Sequence, residues 1–337
     1  MEALFYHKKN EEGVQCNLCP HECTIANGKS GICKVRTNKQ GTLIAKNYEQ
    51  VSSLGFDPIE KKPLYHFYPG SEILSVGSLG CNLQCEFCQN WQISQTSVED
   101  FKRGAEHISV DEIIKIARSK ENNSGIAYTY NEPTVFYEYM LDIAKKAKEY
   151  NLKNVMVTNG FINQEPLNVL NKYMDAYSVD LKAFNNDFFV KHTKSRLEPV
   201  KESLINIAKA GKHLEITNLI IPGLNDNLDE FEQMVKWINE NLGKETVLHI
   251  SKYYPTYKLA IEATSIEKML KLYKIACEYL SFVFLGNVLL SEGNNTNCPT
   301  CGESLITRTG YMTQKRSVNN LGDCIKCGTH VFDHLNF

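Results

Sequence analysis

Three cysteines lie close together in the stretch SVGSLGCNLQCEFCQN, residues 75–90, directly behind an apolar run. Cys81, Cys85 and Cys88 have the spacing C-x3-C-x2-C, which puts three thiolates on one short loop. Three thiolates bind a four-iron cubane and leave one iron open to a small molecule. A structural zinc ion needs a fourth ligand and none lies nearby, so a zinc knuckle or a redox pair is the weaker alternative. The spacing therefore predicts a reactive iron–sulfur centre.

With the aromatic Phe87 directly before its last cysteine, this loop closely resembles the cluster motif of the radical S-adenosylmethionine (radical SAM) superfamily. The resemblance implies a [4Fe–4S] cluster whose open iron is chelated by the amino and carboxylate groups of S-adenosylmethionine. It also implies reductive cleavage of S-adenosylmethionine to a 5′-deoxyadenosyl radical, and hence a one-electron donor such as flavodoxin or ferredoxin. A radical of this reactivity requires a dry site with the substrate already in place.

The composition indicates a globular protein: 337 residues with 42% hydrophobic content suffice for one large domain with smaller appendages. A formal net charge of -2 provides no broad basic surface, so we expect no nucleic-acid partner. No apolar run approaches the ~18 residues of a membrane span. The amino terminus lacks an apolar core followed by a small-residue cleavage site, so we expect a cytoplasmic protein without a membrane partner.

Eleven of the 12 cysteines fall into three tight groups, a distribution typical of metal binding. In a reducing compartment these thiols remain available as ligands instead of forming disulfides. The exception is Cys277, which continues the apolar spacing of Leu270 and Tyr273 on a predicted helix. We expect it to be a buried core thiol.

The amino-terminal group is Cys16, Cys19, Cys23 and Cys33, within CNLCPHECTIANGKSGIC. The surrounding residues are turn formers with too little apolar content to fold alone, so a bound metal would supply the missing stability. The spacing C-x2-C-x3-C-x9-C fits either structural zinc or a second iron–sulfur cluster. From the sequence we favour zinc and keep the cluster as the alternative.

The carboxyl-terminal group consists of two C-x2-C-G knuckles, Cys298 and Cys301, then Cys324 and Cys327, separated by short strand-like runs. This pattern predicts a zinc ribbon, because the glycines allow backbone amides to approach the sulfur atoms. Four thiolates complete a tetrahedral site with no vacancy for catalysis. We therefore expect a structural role, in stability or in covering the substrate.

The CxLCPHxC segment, DPIEKKPLYHFYPG at residues 57–70 and CNLQCEFCQN together resemble the AmmeMemoRadiSam-system radical SAM family. The resemblance spans essentially the whole chain, and members of that family are akin to pyruvate formate-lyase activating enzymes. It implies Memo-type and AMMECR-type proteins as candidate partners, since the family is named for their co-occurrence. The three prolines and paired charges of residues 57–70 also predict a fixed loop.

Beyond the cysteine loop, apolar strands alternate with amphipathic helices, which predicts an α/β protein whose parallel sheet has helices outside it. Capping boxes are expected at Ser109 and Thr264. Six strand–helix units fit a partial (βα)6 radical SAM barrel, and the apolar run 282–290 adds a strand or packs the barrel's end. The predicted divisions are residues 1–70, 71–293 and 294–337. The predicted strands are 73–78, 125–130, 154–158, 176–181, 213–221 and 246–251.

Polar residues at strand ends are the next site candidates, because βα barrels place reactive groups at the carboxyl ends of their strands. The second strand ends in TYNEP, and Asn131 and Glu132 resemble the GGE element that holds the amino group of S-adenosylmethionine. The glycines of that element are replaced here. The alternative is that Glu132 is a helix-start acid next to Pro133.

The third strand places Thr158 and Asn159 at the same edge, and the fourth gives SVDLKAF. Its Asp180 and Lys182 share a strand face and resemble the DxK pair of glycyl-radical activases. A carboxylate can bind ribose hydroxyls and an ammonium can bind the methionyl carboxylate, although a plain ion pair is the alternative.

The sixth strand, LHISKYYP, puts His249 and Ser251 on one face that could point into the mouth of the barrel. There they would contact cofactor or substrate. A satisfied core histidine is an equally good interpretation of His249.

These patterns favour a radical SAM enzyme that abstracts hydrogen from a substrate which the sequence does not identify. The first alternative is an activase that installs a glycyl radical on a partner protein. The second is a metal-dependent binding module without turnover, for which Arg308, Lys315 and Arg316 form only a small basic group.

Overall fold

The computed structural model of the chain describes residues 1–9, 12–290 and 292–335. Its strands are β1 (Tyr6–Lys8), β2 (Val14–Cys16), β3 (Thr24–Ile25), β4 (Arg36–Lys39), β5 (Thr42–Ala45), β6 (Gln50–Val51), β7 (Ser53–Pro58), β8 (Glu72–Gly77), β9 (Glu106–His107), β10 (Asn123–Tyr128), β11 (Lys153–Thr158), β12 (Ala176–Asp180), β13 (His213–Ile220), β14 (Val247–Lys252), β15 (Val283–Gly286), β16 (Thr296–Asn297), β17 (Ser304–Thr309) and β18 (Met312–Lys315). The helices are α1 (Trp91–Ser94), α2 (Val110–Arg118), α3 (Tyr137–Glu149), α4 (Gln164–Leu170), α5 (Asn186–Phe188), α6 (Leu197–Lys209), α7 (Leu228–Leu242) and α8 (Ile266–Tyr279). In the described part of the chain, no helix combines the length and the apolar character needed to cross a membrane.

Within the described residues, the central sheet has eight strands in the order β15-β14-β13-β12-β11-β10-β8-β7. Neighbours from β8 to β15 pair in parallel, whereas β7 pairs antiparallel with β8. Helices connect the parallel strands, as a parallel crossover requires. The predicted α/β class with a parallel sheet is confirmed, and β15 shows that part of the apolar run 282–290 is a seventh parallel strand.

Both faces of this sheet are buried, which is why its strands are continuously apolar. On the outer face, Ile113 of α2 and Met140 of α3 belong to the same buried cluster as Ile126 of β10. On the inner face, Leu64 and Phe67 of the loop after β7 pack with small strand residues. These include Ala127, Val155 and Ala176. The loop at residues 57–70 is therefore a packed part of the core, which confirms the predicted fixed loop.

Helix α2 begins as predicted, with Ser109 and Glu112 forming a capping box. At α8 the prediction is wrong by one residue, because Ser265 is the N-cap and accepts the backbone N–H of Lys268. The Thr264 hydroxyl instead donates to the Ile220 carbonyl at 2.5 Å, which ties the loop to β13.

Cys277 is exposed, so the prediction of a buried thiol is also wrong. The buried side of α8 carries Met269, Leu272 and Ala276, and Cys277 follows one residue after that stripe. A step of one residue turns a helix by about 100°, which carries the side chain towards solvent.

The amino-terminal module, comprising β1 to β5 and the cysteines Cys16 to Cys33, lies at the carboxyl edge of the parallel sheet. The backbone N–H of Asn163, which follows β11, donates to the Leu18 carbonyl at 3.1 Å. A buried ion pair also joins Arg36 of β4 to Glu138 of α3, with 2.9 Å between Nη1 and Oε1. The module is thus attached to the end of the sheet that follows the strands.

The carboxyl-terminal module, residues 292–335, lies at the opposite edge. Arg308 of β17 is buried and donates to the Tyr65 carbonyl at 2.7 Å. The ring of His334 packs 5.5 Å from that of His213, the first residue of β13. This position does not suit the predicted role in covering a substrate, because a substrate in a βα fold lies at the other edge.

Candidate active site at the cysteine loop

The cysteine loop leaves the carboxyl end of β8 through a glycine. Gly80 has φ +86°, and a Cβ atom there would lie 2.5 Å from the Cys33 carbonyl oxygen, so only glycine fits without a shift. Asn131 fixes the same turn from the next strand: its Oδ1 accepts the Ser78 N–H at 2.9 Å and its Nδ2 donates to the Gly80 carbonyl at 2.8 Å. The predicted ligand-binding amide of Asn131 is thus occupied in shaping the loop.

Cys81, Cys85 and Cys88 line one cavity at this edge, and Asp180 and Lys182 line it with them. A second cavity adjoins it and shares all of these side chains except Cys81. Burial raises the pKa of all three thiols, that of Cys85 to about 12. Thiolates in such a place need a compensating positive charge, which bound iron provides.

The Sγ atoms of the three loop cysteines do not all lie within 4.8 Å of one another. Among the described residues, only the carboxyl-terminal cysteines bring three or more metal-ligating atoms within 4.8 Å of one another. Four thiolates on one zinc ion stand about 3.8 Å apart, given a Zn–S bond of about 2.3 Å. In a cubane each thiolate binds its own iron, so the thiolates stand farther apart. The donor set of the loop therefore fits a cluster.

Glu132 lines the same cavity and is buried. It is also the N-cap of the turn Pro133–Phe136 and accepts the Thr134 N–H at 3.0 Å, so the helix-start interpretation is confirmed. Burial raises its pKa although several hydrogen bonds oppose this shift. Its Oε2 accepts the Asn159 N–H at 2.8 Å and, as a carboxylate oxygen, retains capacity for another donor.

Thr158 and Asn159 lie at the end of β11, as predicted, and line the cavity. Their polar atoms are used to hold neighbouring residues. The Thr158 hydroxyl donates to Glu132 Oε1 at 2.7 Å, and Asn159 Nδ2 donates to Asn82 Oδ1 at 2.9 Å. Since Asn82 follows Cys81 directly, Asn159 helps to fix the cysteine loop.

Asp180 and Lys182 form an ion pair with 2.9 Å between Oδ2 and Nζ, as the alternative interpretation expected. The two partners differ in exposure: the side chain of Lys182 is 13% exposed and that of Asp180 is 41% exposed. Burial alone would lower the pKa of Lys182, but the charge of the Asp180 carboxylate outweighs it and raises the pKa. The ammonium is therefore charged at neutral pH, and the carboxylate keeps an accessible side.

Phe87 and Ser251 line the second cavity, but His249 does not. His249 is buried, with its Nε2 2.6 Å from Glu215 Oε2 and its ring stacked on Phe284 at 5.5 Å. The structure corrects the prediction of a cofactor contact in favour of the core histidine. Glu215 also accepts the Tyr65 N–H at 2.9 Å, so this carboxylate binds the inner loop to the sheet.

The residues at the far end of the cavity were not among the predicted site residues. Asp57 lies opposite Ile73 in the antiparallel register, at the other end of β8 from the cysteine loop. Its carboxylate accepts hydrogen bonds from Lys61 at 2.9 Å, Lys62 at 2.7 Å and the Tyr130 hydroxyl at 2.8 Å. Lys62 is buried, and burial lowers its pKa. The motif DPIEKKPLY contained Asp57, Lys61 and Lys62, but only the packing of the loop brings them beneath the cysteines.

The carboxyl-terminal cysteines converge on one point. The Sγ atoms of Cys298 and Cys327 are 3.5 Å apart, and those of Cys301 and Cys324 are 3.7 Å apart. All four lie within 4.8 Å of one another. These separations fit the edges of a tetrahedron of thiolates around one metal ion, about 3.8 Å for zinc.

Comparison with known proteins agrees with this geometry. The model of the radical SAM superfamily matches residues 75–238. An uncharacterised protein of Methanocaldococcus jannaschii is 43% identical over 335 residues, which is 98% of each chain. The pyruvate formate-lyase-activating enzyme of Clostridium pasteurianum is 26% identical over 220 residues, 60% of this chain and 88% of that one.

Among solved structures, Streptococcus suis SuiB bound to S-adenosylmethionine aligns with a TM-score of 0.50 at 14% identity. The alignment covers 68% of this chain and 53% of SuiB, and it shows a shared fold alone. The cysteine loop and the parallel sheet lie within the part matched by the superfamily model, except for the last strands of the sheet. Over residues 75–238 the chain is thus similar to the radical SAM superfamily.

Proposed function

We propose that this protein binds a [4Fe–4S] cluster through Cys81, Cys85 and Cys88 and cleaves S-adenosylmethionine in the adjoining cavity. The observation that carries the proposal is that the three cysteines and the charged strand-end side chains line one cavity. When bound, such a cluster supplies an electron to S-adenosylmethionine and so yields a 5′-deoxyadenosyl radical that abstracts hydrogen from a substrate.

The charged residues of the cavity match the polar groups of S-adenosylmethionine. Lys182, held charged by Asp180, binds the methionyl carboxylate, and the accessible side of Asp180 accepts the ribose hydroxyls. Glu132 accepts the methionyl ammonium through Oε2. Phe87 and Ser251 form part of the wall.

The remaining site residues position these groups. Asn131 and Asn159 form hydrogen bonds with the cysteine loop, and Thr158 forms one with Glu132. At the opposite end, Asp57 and Lys62 close the cavity with a hydrogen-bonded ion pair, which limits the entry of water from the inside of the sheet. Exclusion of water protects a reactive radical from side reactions.

Production of 5′-deoxyadenosine tests the central proposal. After anaerobic reconstitution and reduction, the wild-type protein should form it from S-adenosylmethionine, whereas Cys81→Ala, Cys85→Ala or Cys88→Ala should form none. Cys277→Ala is the matched control, because this cysteine is exposed on α8 and should leave the yield unchanged. A triple variant of the loop that still forms 5′-deoxyadenosine would falsify the proposal, as would a wild-type protein that binds metal and never turns over.

The binding roles are tested by titrating S-adenosylmethionine into the reconstituted Lys182→Met, Asp180→Asn and Glu132→Gln variants. Loss of one charged hydrogen bond should weaken binding by about 1.5–3 kcal/mol, roughly ten- to a hundredfold. Lys252→Met is the matched control, since Lys252 also ends a strand but does not line either cavity. Unchanged affinity in all three variants would leave these residues as structural ion pairs and caps.

A second candidate is activation of a partner protein by installing a glycyl radical. The likeness to the Clostridium pasteurianum activating enzyme and the Asp180–Lys182 pair favour it. A paramagnetic signal that appears on the partner after turnover, and not on this chain, would support it.

The narrower AmmeMemoRadiSam assignment, with Memo-type and AMMECR-type partners and a flavodoxin or ferredoxin donor, rests on the sequence motifs. Copurification from the native organism tests these partners.

For the carboxyl-terminal site we infer a structural zinc ion. The four convergent thiolates support this inference, since they leave no position for a substrate. Elemental analysis of the wild-type protein and of Cys298→Ala with Cys324→Ala tests it. The variant should lose zinc and keep its iron, and loss of iron instead would contradict the assignment.

A further inference from the structure

The four amino-terminal cysteines surround a cavity instead of meeting at a point. Cys16, Cys19, Cys23 and Cys33 all line it, with apolar side chains between them. Those side chains include Leu18, Ile25, Ile32 and Val135. In contrast to the carboxyl-terminal four, no three of these thiols lie within 4.8 Å of one another. The sequence favours zinc here, but one zinc ion would draw its thiolates to about 3.8 Å.

A buried arginine with an unpaired N–H also lines this cavity. Arg36 lines the cavity and is 2% exposed. Its Nη1 donates to Glu138 at 2.9 Å and its Nη2 donates to the Leu4 carbonyl, but its Nε has no hydrogen-bond partner. An unpaired buried N–H is costly, and the thiolates and sulfides of an iron–sulfur cluster are acceptors with the charge that would satisfy it.

The cavity adjoins the cysteine loop of the active site. Asn82, the residue after Cys81, lines it. His21 Nε2 lies 2.7 Å from the carbonyl oxygen of Asn82. The nitrogen is the donor, because a carbonyl oxygen only accepts hydrogen bonds. On the other side, the Cys33 carbonyl packs against Gly80. Since Cys81 lines the active-site cavity and its neighbour Asn82 lines this one, the two sets of cysteines lie on either side of the same loop.

We propose that Cys16, Cys19, Cys23 and Cys33 hold a second [4Fe–4S] cluster, beside the loop of the first. Four thiolates occupy all four irons, so this cluster has no open iron for S-adenosylmethionine. Its chemistry is limited to one-electron exchange, and its position beside the loop makes the first cluster its nearest redox partner. The existence of this site does not depend on the proposed cleavage of S-adenosylmethionine.

The decisive test uses the triple variant Cys81→Ala, Cys85→Ala, Cys88→Ala, whose amino-terminal module is intact. After anaerobic reconstitution it should retain about four irons per chain, compared with about eight in the wild-type protein. On reduction it should show the electron paramagnetic resonance signal of a [4Fe–4S] cluster. A triple variant without iron, with two zinc ions per chain, would overturn the proposal.

Two further measurements separate this site from the active site. Adding Cys19→Ala and Cys23→Ala to the triple variant should remove the remaining iron, whereas adding Cys298→Ala should remove zinc only. In the fully reduced wild-type protein, magnetic interaction between neighbouring clusters should broaden the signal, and two independent signals would contradict the placement. If both clusters form but no 5′-deoxyadenosine appears, the proposed function fails and the second cluster stands.

Discussion

The two appended cysteine modules have the same ligands and a similar attachment, yet they differ in the geometry of their sites. Each has four cysteines, and each is anchored by a buried arginine near a buried glutamate, Arg36 with Glu138 and Arg308 with Glu60. The amino-terminal thiols surround a cavity at the reactive edge of the sheet. The carboxyl-terminal thiols converge at the opposite edge. Four cysteines alone therefore do not specify one geometry of the site.

The difference follows from the local backbone. In the carboxyl-terminal module each C-x2-C knuckle ends in a glycine with positive φ, Gly302 or Gly328, so two equivalent turns face each other across one point. The amino-terminal module has a single C-x2-C turn, and Cys23 and Cys33 come from separate segments. Thiols from three segments stand apart and enclose a volume.

The largest expected effect comes from breaking the two anchors. Arg36→Met leaves Glu138 buried without its cation, and Arg308→Met does the same to Glu60. Each should lower the free energy of unfolding by about 3–5 kcal/mol. Denaturant unfolding measures the loss, and metal analysis should show iron reduced in the first variant and zinc in the second. Lys271→Met is the control, because its exposed pair with Glu267 should contribute less than about 1 kcal/mol. A loss no larger than the control's would contradict the anchoring role.

An intermediate effect is expected from Gly80→Ala, which pushes a Cβ atom against the Cys33 carbonyl and strains a positive φ. The cost should be about 1–3 kcal/mol, and the yield of 5′-deoxyadenosine should fall, because the amino-terminal module contacts the cysteine loop at this glycine. Gly28 has a similar φ, but a Cβ atom there would have nothing within 4 Å. The loss of stability in Gly28→Ala therefore measures the cost of the positive φ alone.

The matched change in the other module is Gly322→Ala, whose Cβ would meet the Phe332 carbonyl. It should disturb zinc binding and leave 5′-deoxyadenosine formation intact in the folded fraction. If Gly322→Ala reduced turnover as strongly as Gly80→Ala, the two modules would not differ in their coupling to the active site.

The smallest effect concerns His66, which packs on Phe332 and lies 3.3 Å from the Thr296 hydroxyl of the carboxyl-terminal module. Burial lowers the pKa of His66 to about 3. In the unfolded chain a histidine takes up its proton near pH 6.5, so the stability that the neutral ring provides is complete above this pH and is lost as the pH falls towards 3. Between pH 7.5 and 5 this loss should reach about 2 kcal/mol.

Urea unfolding of the wild-type protein and of His66→Gln at both pH values checks this prediction. The variant should show a smaller dependence on pH, since it lacks the group that titrates. Limited proteolysis should then cut the carboxyl-terminal module of the wild-type protein sooner at pH 5. If the free energy of unfolding changed equally with pH in the two proteins, His66 would be excluded as the cause.

Short-range features of this protein could be predicted from its sequence. The spacing of Cys81, Cys85 and Cys88, the parallel α/β sheet and the positions of Asp180 and Lys182 at a strand end depend on residues close together in the chain. Periodicity and motif spacing record such relations directly. The errors at Thr264 and Cys277 were displacements of one residue within correctly predicted elements, because a helical pattern does not fix its register against the rest of the core.

Long-range contacts were decided by the tertiary structure. His249 belongs to the core because Glu215 of a neighbouring strand binds it, and no pattern along the chain records that pairing. Lys62 reaches the cavity because an antiparallel strand and a packed loop carry it beneath the cysteine loop. The separation of the amino-terminal thiols likewise depends on how distant segments pack. Residue types and their spacing along the chain thus specify which side chains are reactive. Packing specifies which of them share a site, because separations between distant segments are set only when the core forms.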